Sequence, residues 1–458
     1  MRVLTGAKIY IVSEWAIFKQ LNRNIRLLLW SQVIMGFVVE GGILPVLFNL
    51  YLLRLNFGPE SIGSINSVGL VVFTLVTLPA GEVGKRIGLR KAIMWGLFLM
   101  FVGFLFIPMG EFLSSASFGP AFAPAAGNAI LHVGLALFFV NNPPFIMKNT
   151  TGDTHASVFG LQSSILALSG FVGSLAAGFI PIIFIFALNL SADGPAPIRY
   201  TLILGACSLL LAAWFMRTAD SGISLRDPIV SDLNEVEPTV EPAIEPEVDE
   251  DHSVIPLGRS FWIWIAIIGL CRYLIKTGVA ANGLFYNVYL DDGLGLSTSV
   301  IGNFSALGHL LAIPAGLLVP FILKRFGAKN GMLIASGMLV ITLIPLTSSI
   351  WWLAGLGHAL TASLGPVRFG VFTIYVLNRT PAEQQPFVSG LQELIIGGAF
   401  ATMAVAGGYL ISWTSYSSFY WISIGVVAFG TLLMWAYLYG PLPLSPPAAQ
   451  VKNVTSDQ

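Results

Sequence analysis

The chain is predicted to be an all-α polytopic membrane protein, with twelve transmembrane helices in two parallel six-helix repeats. Three observations lead there. Of its 458 residues, 10% are charged and 55% hydrophobic, whereas soluble domains carry about 25% charge. Twelve continuous apolar segments each reach the roughly 20 residues a helix needs to cross a bilayer. The last six segments repeat motifs of the first six in the same order.

Composition excludes other classes. The mean hydropathy of +0.80 rules out a soluble enzyme and a disordered chain. Lys+Arg (23) cancel Asp+Glu (23), and no basic domain stands apart, so no nucleic-acid partner is expected. Cys207 and Cys271 lie in apolar runs and cannot form a disulfide framework. No Cys/His cluster has metal-ligand spacing, and neither metal nor cofactor is expected. Continuous apolar runs, rather than alternation of period two, exclude a β-barrel.

The spans are predicted at 27–53, 61–83, 92–112, 122–147, 155–187, 198–216, 260–290, 298–322, 330–349, 351–378, 386–412 and 418–440. Residues 1–26 lack a small-residue cleavage site and are expected as a tail. Within it, Ile9 to Leu21 suits either an interfacial amphipathic helix or a partly ordered strand of chain. Residues 217–259 carry the acidic, Pro-spaced run Glu235 to Asp251, which cannot bury enough apolar surface to fold and reads as a tether. The organisation is therefore a bundle at 27–216, the linker, a bundle at 260–440 and a tail at 441–458. Three of the 23 Lys+Arg fall within spans. Eighteen lie on the side of the termini and two, Arg54 and Arg199, on the other. That bias places both termini in the cytoplasm and the chain in the cell (inner or plasma) membrane.

The halves match at a nearly constant offset. Phe48 to Leu52 corresponds to Tyr286 to Leu290, Ile62-Gly63 to Ile301-Gly302, and Lys85-Arg86-Ile87-Gly88 to Lys324-Arg325-Phe326-Gly327. Pro79 to Gly81 finds Pro314 to Gly316, and Gly160 to Gln162 finds Gly390 to Gln392. Because six is even, both units start on the same side, so the repeats are parallel.

The segment Gly81 to Lys91, between spans 2 and 3, resembles the loop signature of the major facilitator superfamily, roughly G-x-L-A-D-R-x-G-R-K. Gly81, Gly84, Arg86, Gly88 and Arg90 match; Lys85 stands where the family usually has Asp. The span count, tether and repeat fit as well. The resemblance implies that fold, alternating access, and a central cavity lined by spans 1, 4, 7 and 10. It also implies a loop carboxylate that bridges toward span 11. Lys85 cannot play that part; the loop is read as a topology signal with solvated charges, and the alternative is that Glu82 substitutes by pairing with Arg86 within its own helix.

Ionisable residues inside spans cost at least ~2.5 kcal/mol each on insertion scales. They are Glu40 (span 1), His132 (span 4), Arg272 and Lys276 (span 7), His309 (span 8), His358 and Arg368 (span 10) and Glu393 (span 11). Six lie on the four spans that the resemblance assigns to the cavity. Polar stripes are predicted along Gln32, Gly36 and Glu40; along Asn128 and His132; and along His358, Thr361, Gly365 and Arg368. Glu40, His132, Arg272, Lys276, His358 and Arg368 are the candidate substrate and proton site. For each a packing role is the alternative, and Glu40 alternatively pairs with Lys276 or Arg272. His309 is read as packing, and Glu393 as supporting the start of span 11. Asn49, Tyr51, Asn287 and Tyr289 are helix caps and interface anchors or parts of an outer gate.

Three deep cations against two deep carboxylates leave one positive charge. The predicted substrate is thus a small organic anion or carboxylate-bearing solute, moved with protons that Glu40 carries, by a monomer in the lipid bilayer. Efflux of hydrophobic cations is the alternative, although Gly170 to Gly178 lacks the Gly-Pro pair of the family's drug antiporters. A non-transporting receptor or scaffold on the same fold is the alternative of another class. No catalytic constellation or phosphate-binding loop appears, so no enzyme activity is expected.

Overall fold

The computed structural model describes residues 21–112, 120–150, 152–219, 255, 257–316, 318–381 and 384–440. The predicted tail up to Gln20, nearly all of the acidic tether and the tail 441–458 lie outside them. Among the described residues twelve helical segments are long and apolar enough to cross a membrane. The helices run Pro59–Ile87 (span 2), Leu89–Phe106 (span 3), Phe122–Asn149 (span 4), Gly152–Leu188 (span 5) and Ala196–Thr218 (span 6). In the second half they run Arg259–Val288 (span 7), Thr298–Gly316 (span 8), Gln385–Trp413 (span 11) and Tyr416–Tyr439 (span 12). A helix at Leu318–Leu343 kinks at Gly327, where span 8 passes into span 9.

Local chemistry sets these limits. Asn22 caps span 1 by accepting from the Ile25 amide at 2.9 Å, so the helix starts at Arg23, four residues before the predicted 27. Gly58-Pro59 starts span 2, with proline at the first helical position, where a missing N–H costs nothing. Gly88 (φ 92°) and Gly327 (φ 72°) turn the chain between spans 2 and 3 and between spans 8 and 9. These are the equivalent glycines of the two repeats, and both sit where a Cβ is disfavoured.

Two predicted spans are not continuous. Span 1 divides into 1a, Arg23–Val38, and 1b, Ile43–Arg54. Gly41 lies at φ 138°, and a Cβ there would stand 2.2 Å from the His309 ring. The loosened backbone is satisfied in part by the Ser174 hydroxyl, which donates to the Gly41 carbonyl. Span 10 divides at Leu364 into 10a, Trp351–Ser363, and 10b, Gly365–Asn378. The cause is Pro366, which has no N–H and disfavours helix in the residue before it.

Across the halves, span 2 packs on span 11, span 5 on span 8, and span 1b on span 7. Small residues make this close approach. A Cβ on Gly63 would lie 2.0 Å from the Ala404 carbonyl oxygen, and one on Gly302 2.7 Å from that of Ser174. Gly408 lies against Pro59 and Gly397 against Thr74. Within the predicted antiporter-like stretch, Gly173 packs on the Phe37 carbonyl and Gly178 on Ser299, so these glycines serve packing. The contacts at Gly63, Gly178, Gly302 and Gly408 lie toward the ends of the spans remote from the basic loops, Gly397–Thr74 lies at mid-span, and Gly173–Phe37 lies within the first half. Lys85 and Arg86, at the other end of span 2, are 80% and 76% exposed at their side chains. The two halves are thus held together on the face opposite the basic loops.

A substitution at the turn tests the backbone argument. Gly88→Val should lower the thermal unfolding midpoint of the detergent-purified protein by a few degrees. Gly337→Ala, at a helical site with nothing within 4 Å of an added Cβ, should not lower it.

Candidate substrate cavity

Arg272, Ile275, Lys276 and Val279 recur at helical spacing along one face of span 7. With Met332, Ala335 and Ser336 of span 9 and Arg368 and Phe372 of span 10b they line a small pocket. Three of the predicted site residues therefore share one cavity within the second half. Arg272 is 2% exposed, and none of its three guanidinium nitrogens has a hydrogen-bond partner among the described residues. Its charge rests over the Phe372 ring at 4.2 Å, with Phe369 at 5.9 Å. Arg368 donates from one terminal nitrogen to the Thr361 carbonyl across the break in span 10, while Nε and the other terminal nitrogen are unpaired. Lys276 is half-buried and forms no ion pair among the described residues. Buried charged donors without acceptors are costly. Here they surround an empty volume and present the forked geometry that a carboxylate fits.

Glu393 of span 11 is exposed, forms no salt bridge among the described residues and is not among the residues that line the cavity. The predicted helix-start role is corrected accordingly. Glu393 stands well inside its span, where span 11 packs beside span 7. Sequence reasoning left it out of the site because it lies on none of the four cavity spans.

The remaining candidates lie elsewhere. Glu40 is exposed at the break in span 1, and its side chain makes no ion pair or hydrogen bond among the described residues, while its amide donates to the Met35 carbonyl at 2.9 Å. The alternative pairing with Lys276 or Arg272 is not formed. The predicted stripe Gln32–Gly36–Glu40 is not one face, because the helix ends at Val38. Gln32 is buried and Gly36 packs on Leu166 and Ser169 of span 5. Asn128 donates to the Ile65 carbonyl at 3.0 Å, and His132 bonds the Asn128 carbonyl at 2.8 Å and meets Phe73 edge-on. Both belong to the contact of spans 2 and 4. His358 stacks on Tyr286, with ring centroids 3.4 Å apart, and hydrogen-bonds Asn282 at 3.0 Å. The break at Leu364 separates it from Arg368, so the predicted single stripe along span 10 is two segments. The His309 ring packs against Gly41 and joins span 8 to the break in span 1.

The paired asparagines form a reciprocal clasp. Asn49 of span 1b donates to the Leu284 carbonyl of span 7 at 2.6 Å. Asn287 of span 7 donates to the Pro45 and Val46 carbonyls of span 1b at 3.1 and 3.0 Å. Arg54 and Asp291 close the same face with two bonds of 2.7 Å. The tyrosines stay within their own halves. Tyr51 donates to the Pro108 carbonyl and Tyr289 to that of Ser348, which are equivalent places in the repeats. In the basic loop, Arg86 pairs with Glu82 at 3.0 Å, the alternative to fully solvated charges, and both side chains remain exposed. Arg90 donates to the Arg217 and Ala219 carbonyls, capping span 6.

A two-half helical bundle sealed at one face, with polar groups at its core, defines a polytopic transporter. The sequence profile described as Major Facilitator Superfamily matches residues 28–352 and 265–456, and the chain belongs to that family. A glucose/galactose transporter of Brucella abortus biovar 1 (strain 9-941) is 25% identical over 336 residues, covering 59% of this chain and 79% of that protein. The fold is similar to that of the nucleoside transporter NupG, with a TM-score of 0.63 at 14% identity over 90% and 99% of the two chains. It is also similar to that of a D-xylose-proton symporter, with a TM-score of 0.65 at 13% identity over 90% and 97%. The protein is a multi-pass membrane protein and a secondary transporter of this family, not an enzyme.

The clasp makes a prediction. With Cys207 and Cys271 replaced by Ser, a cysteine at Val46 should be protected from impermeant maleimide added on the sealed face. Adding Arg54→Ala or Asn287→Ala should raise its labelling rate several-fold. Unchanged labelling would show that this contact does not hold the face closed.

Proposed function

We propose that the chain moves a small organic anion, such as a carboxylate-bearing solute, by alternating access coupled to protons. The observation that carries this reading is the cavity where Arg272, Lys276 and Arg368 meet with unpaired donors. A neutral solute would leave three cations uncompensated; an anion supplies the missing acceptors. The relative named for glucose and galactose suggests a solute of sugar size, and the cation cluster favours one that bears a charge. The basic face, by the distribution of Lys and Arg, is the cytoplasmic one. On that basis the conformation is open inward, with the clasp of spans 1b and 7 closing the outside. Substrate anion entering from the basic face bonds the two guanidinium forks and pulls span 7 toward span 10b. That movement lies beside the contacts that seal the opposite face, since Leu284 and Asn287 belong to span 7.

Purified protein should be stabilised thermally by at least one of lactate, gluconate, citrate and glucose 6-phosphate, and not by glucose. Arg272→Gln and Arg368→Gln should each cost about 2–5 kcal/mol of anion binding. Stabilisation by glucose that equals the best anion and survives both substitutions would overturn the reading.

A further inference from the structure

We propose that the pocket between spans 7, 9 and 10b is also a halide site, where chloride binds to Arg272, Lys276 and Arg368 and has to be displaced by the transported anion. The inference rests on the anion-transport reading of the same pocket and adds the ion that regulates it.

The geometry asks for a counter-ion. Of the nine residues that line the pocket, three are cationic and none is acidic. Arg272 and Arg368 are 2% and 8% exposed, with three unpaired guanidinium nitrogens on the first and two on the second. Lys276 follows Arg272 by one turn of span 7, and Phe372 follows Arg368 by one turn of span 10b. Arg272 lies over that same Phe372 ring at 4.2 Å, so the charges of the two helices converge on one place. A ring face offsets part of the cost of a buried guanidinium and supplies no acceptor to its N–H groups.

Size and lining select the occupant. The pocket has room for little more than a water-sized sphere, and Ile275, Val279, Met332 and Ala335 give it apolar walls. The Ser336 hydroxyl is spent on the Met332 carbonyl at 2.8 Å. Water fits but is neutral, and it leaves the like charges unanswered. Sulfate and phosphate are larger, and each of their oxygens needs hydrogen bonds that apolar walls do not give. A halide is one small sphere, accepts N–H bonds from any direction and tolerates aliphatic neighbours. Chloride and a substrate carboxylate use the same donors, so one excludes the other. The carboxylate has two oxygens with which to answer two forks, and the halide has a single centre. Replacing one monoanion by another leaves the charge of the pocket unchanged.

The test is chlorine NMR of purified protein, with ionic strength held by sodium sulfate. Bound chloride broadens the line, and this width does not report the general stabilising effect of salts. The unmodified protein should broaden the line saturably, and Lys85→Gln, on the exposed basic loop, should do the same. Arg272→Gln and Arg368→Gln should each reduce the excess width several-fold. Whichever of lactate, gluconate, citrate and glucose 6-phosphate binds should narrow the line of the unmodified protein. Chloride at about ten times its own Kd should weaken the binding of that anion about tenfold, by mass action. Absence of broadening, or broadening that survives both arginine substitutions, would overturn the proposal. An organic anion that binds with an affinity indifferent to chloride would overturn it too, and anion transport would stand without it. Should an arginine variant fail to fold, this competition in the unmodified protein decides the matter. If broadening depends on both arginines while glucose binds and none of the organic anions does, the transport reading fails and the halide site stands.

Discussion

An arginine held at bilayer depth with every guanidinium nitrogen unpaired is the constraint around which this molecule is arranged. Arg272 cannot lie against lipid, and it cannot give up its proton. The chain answers by packing the charge over Phe372 and placing it on a cavity shared with Lys276 and Arg368. A protein selected for stability alone would fill that space with apolar side chains, which commonly match or exceed a buried ion pair in stability. Keeping three cations there costs stability, and the proposed anion would supply the missing acceptors.

The same helix that carries Arg272 also carries Leu284 and Asn287, its contacts with the other half. Span 7 is a single helix from Arg259 to Val288, so the charge at one level and the clasp at the next are joined by continuous hydrogen-bonded backbone. The clasp itself is economical chemistry. Each asparagine gives its amide hydrogens to backbone carbonyls of the opposite half, and the Arg54–Asp291 pair closes the rim. Such bonds exchange readily for water when the face opens, so they hold a conformation without locking it. The breaks in spans 1 and 10 have a related logic. Each frees backbone that a straight helix would have spent internally, and Ser174 and Arg368 donate to carbonyls at or beside those breaks.

Most of the architecture was legible in the chain. Length and apolarity fixed twelve crossings, and the repeated Asn-x-Tyr and Lys-Arg-x-Gly segments gave the two halves and their parallel sense. The turn glycines Gly88 and Gly327 fell at equivalent positions. What escaped was local. A run such as Gly36 to Gly42 is as hydrophobic as its neighbours, so hydropathy passes over the interruption that Gly41 makes. Depth along a helix does not say which way a residue faces. Asn128 and His132 are deep enough for a cavity, yet they turn to span 2. The Arg54–Asp291 pair was readable in principle, since opposite charges follow Tyr51 and Tyr289 a few residues on in each repeat.

The account stands on an anion occupying the second-half cavity. Anomalous scattering from crystals grown with a bromine-labelled carboxylate would locate it directly. A bromine peak within contact of Arg272, Lys276 and Arg368, with the carboxylate bonded to the nitrogens that lack partners in the empty cavity, is the predicted result. A clear map with that cavity empty and the label bound elsewhere would contradict it.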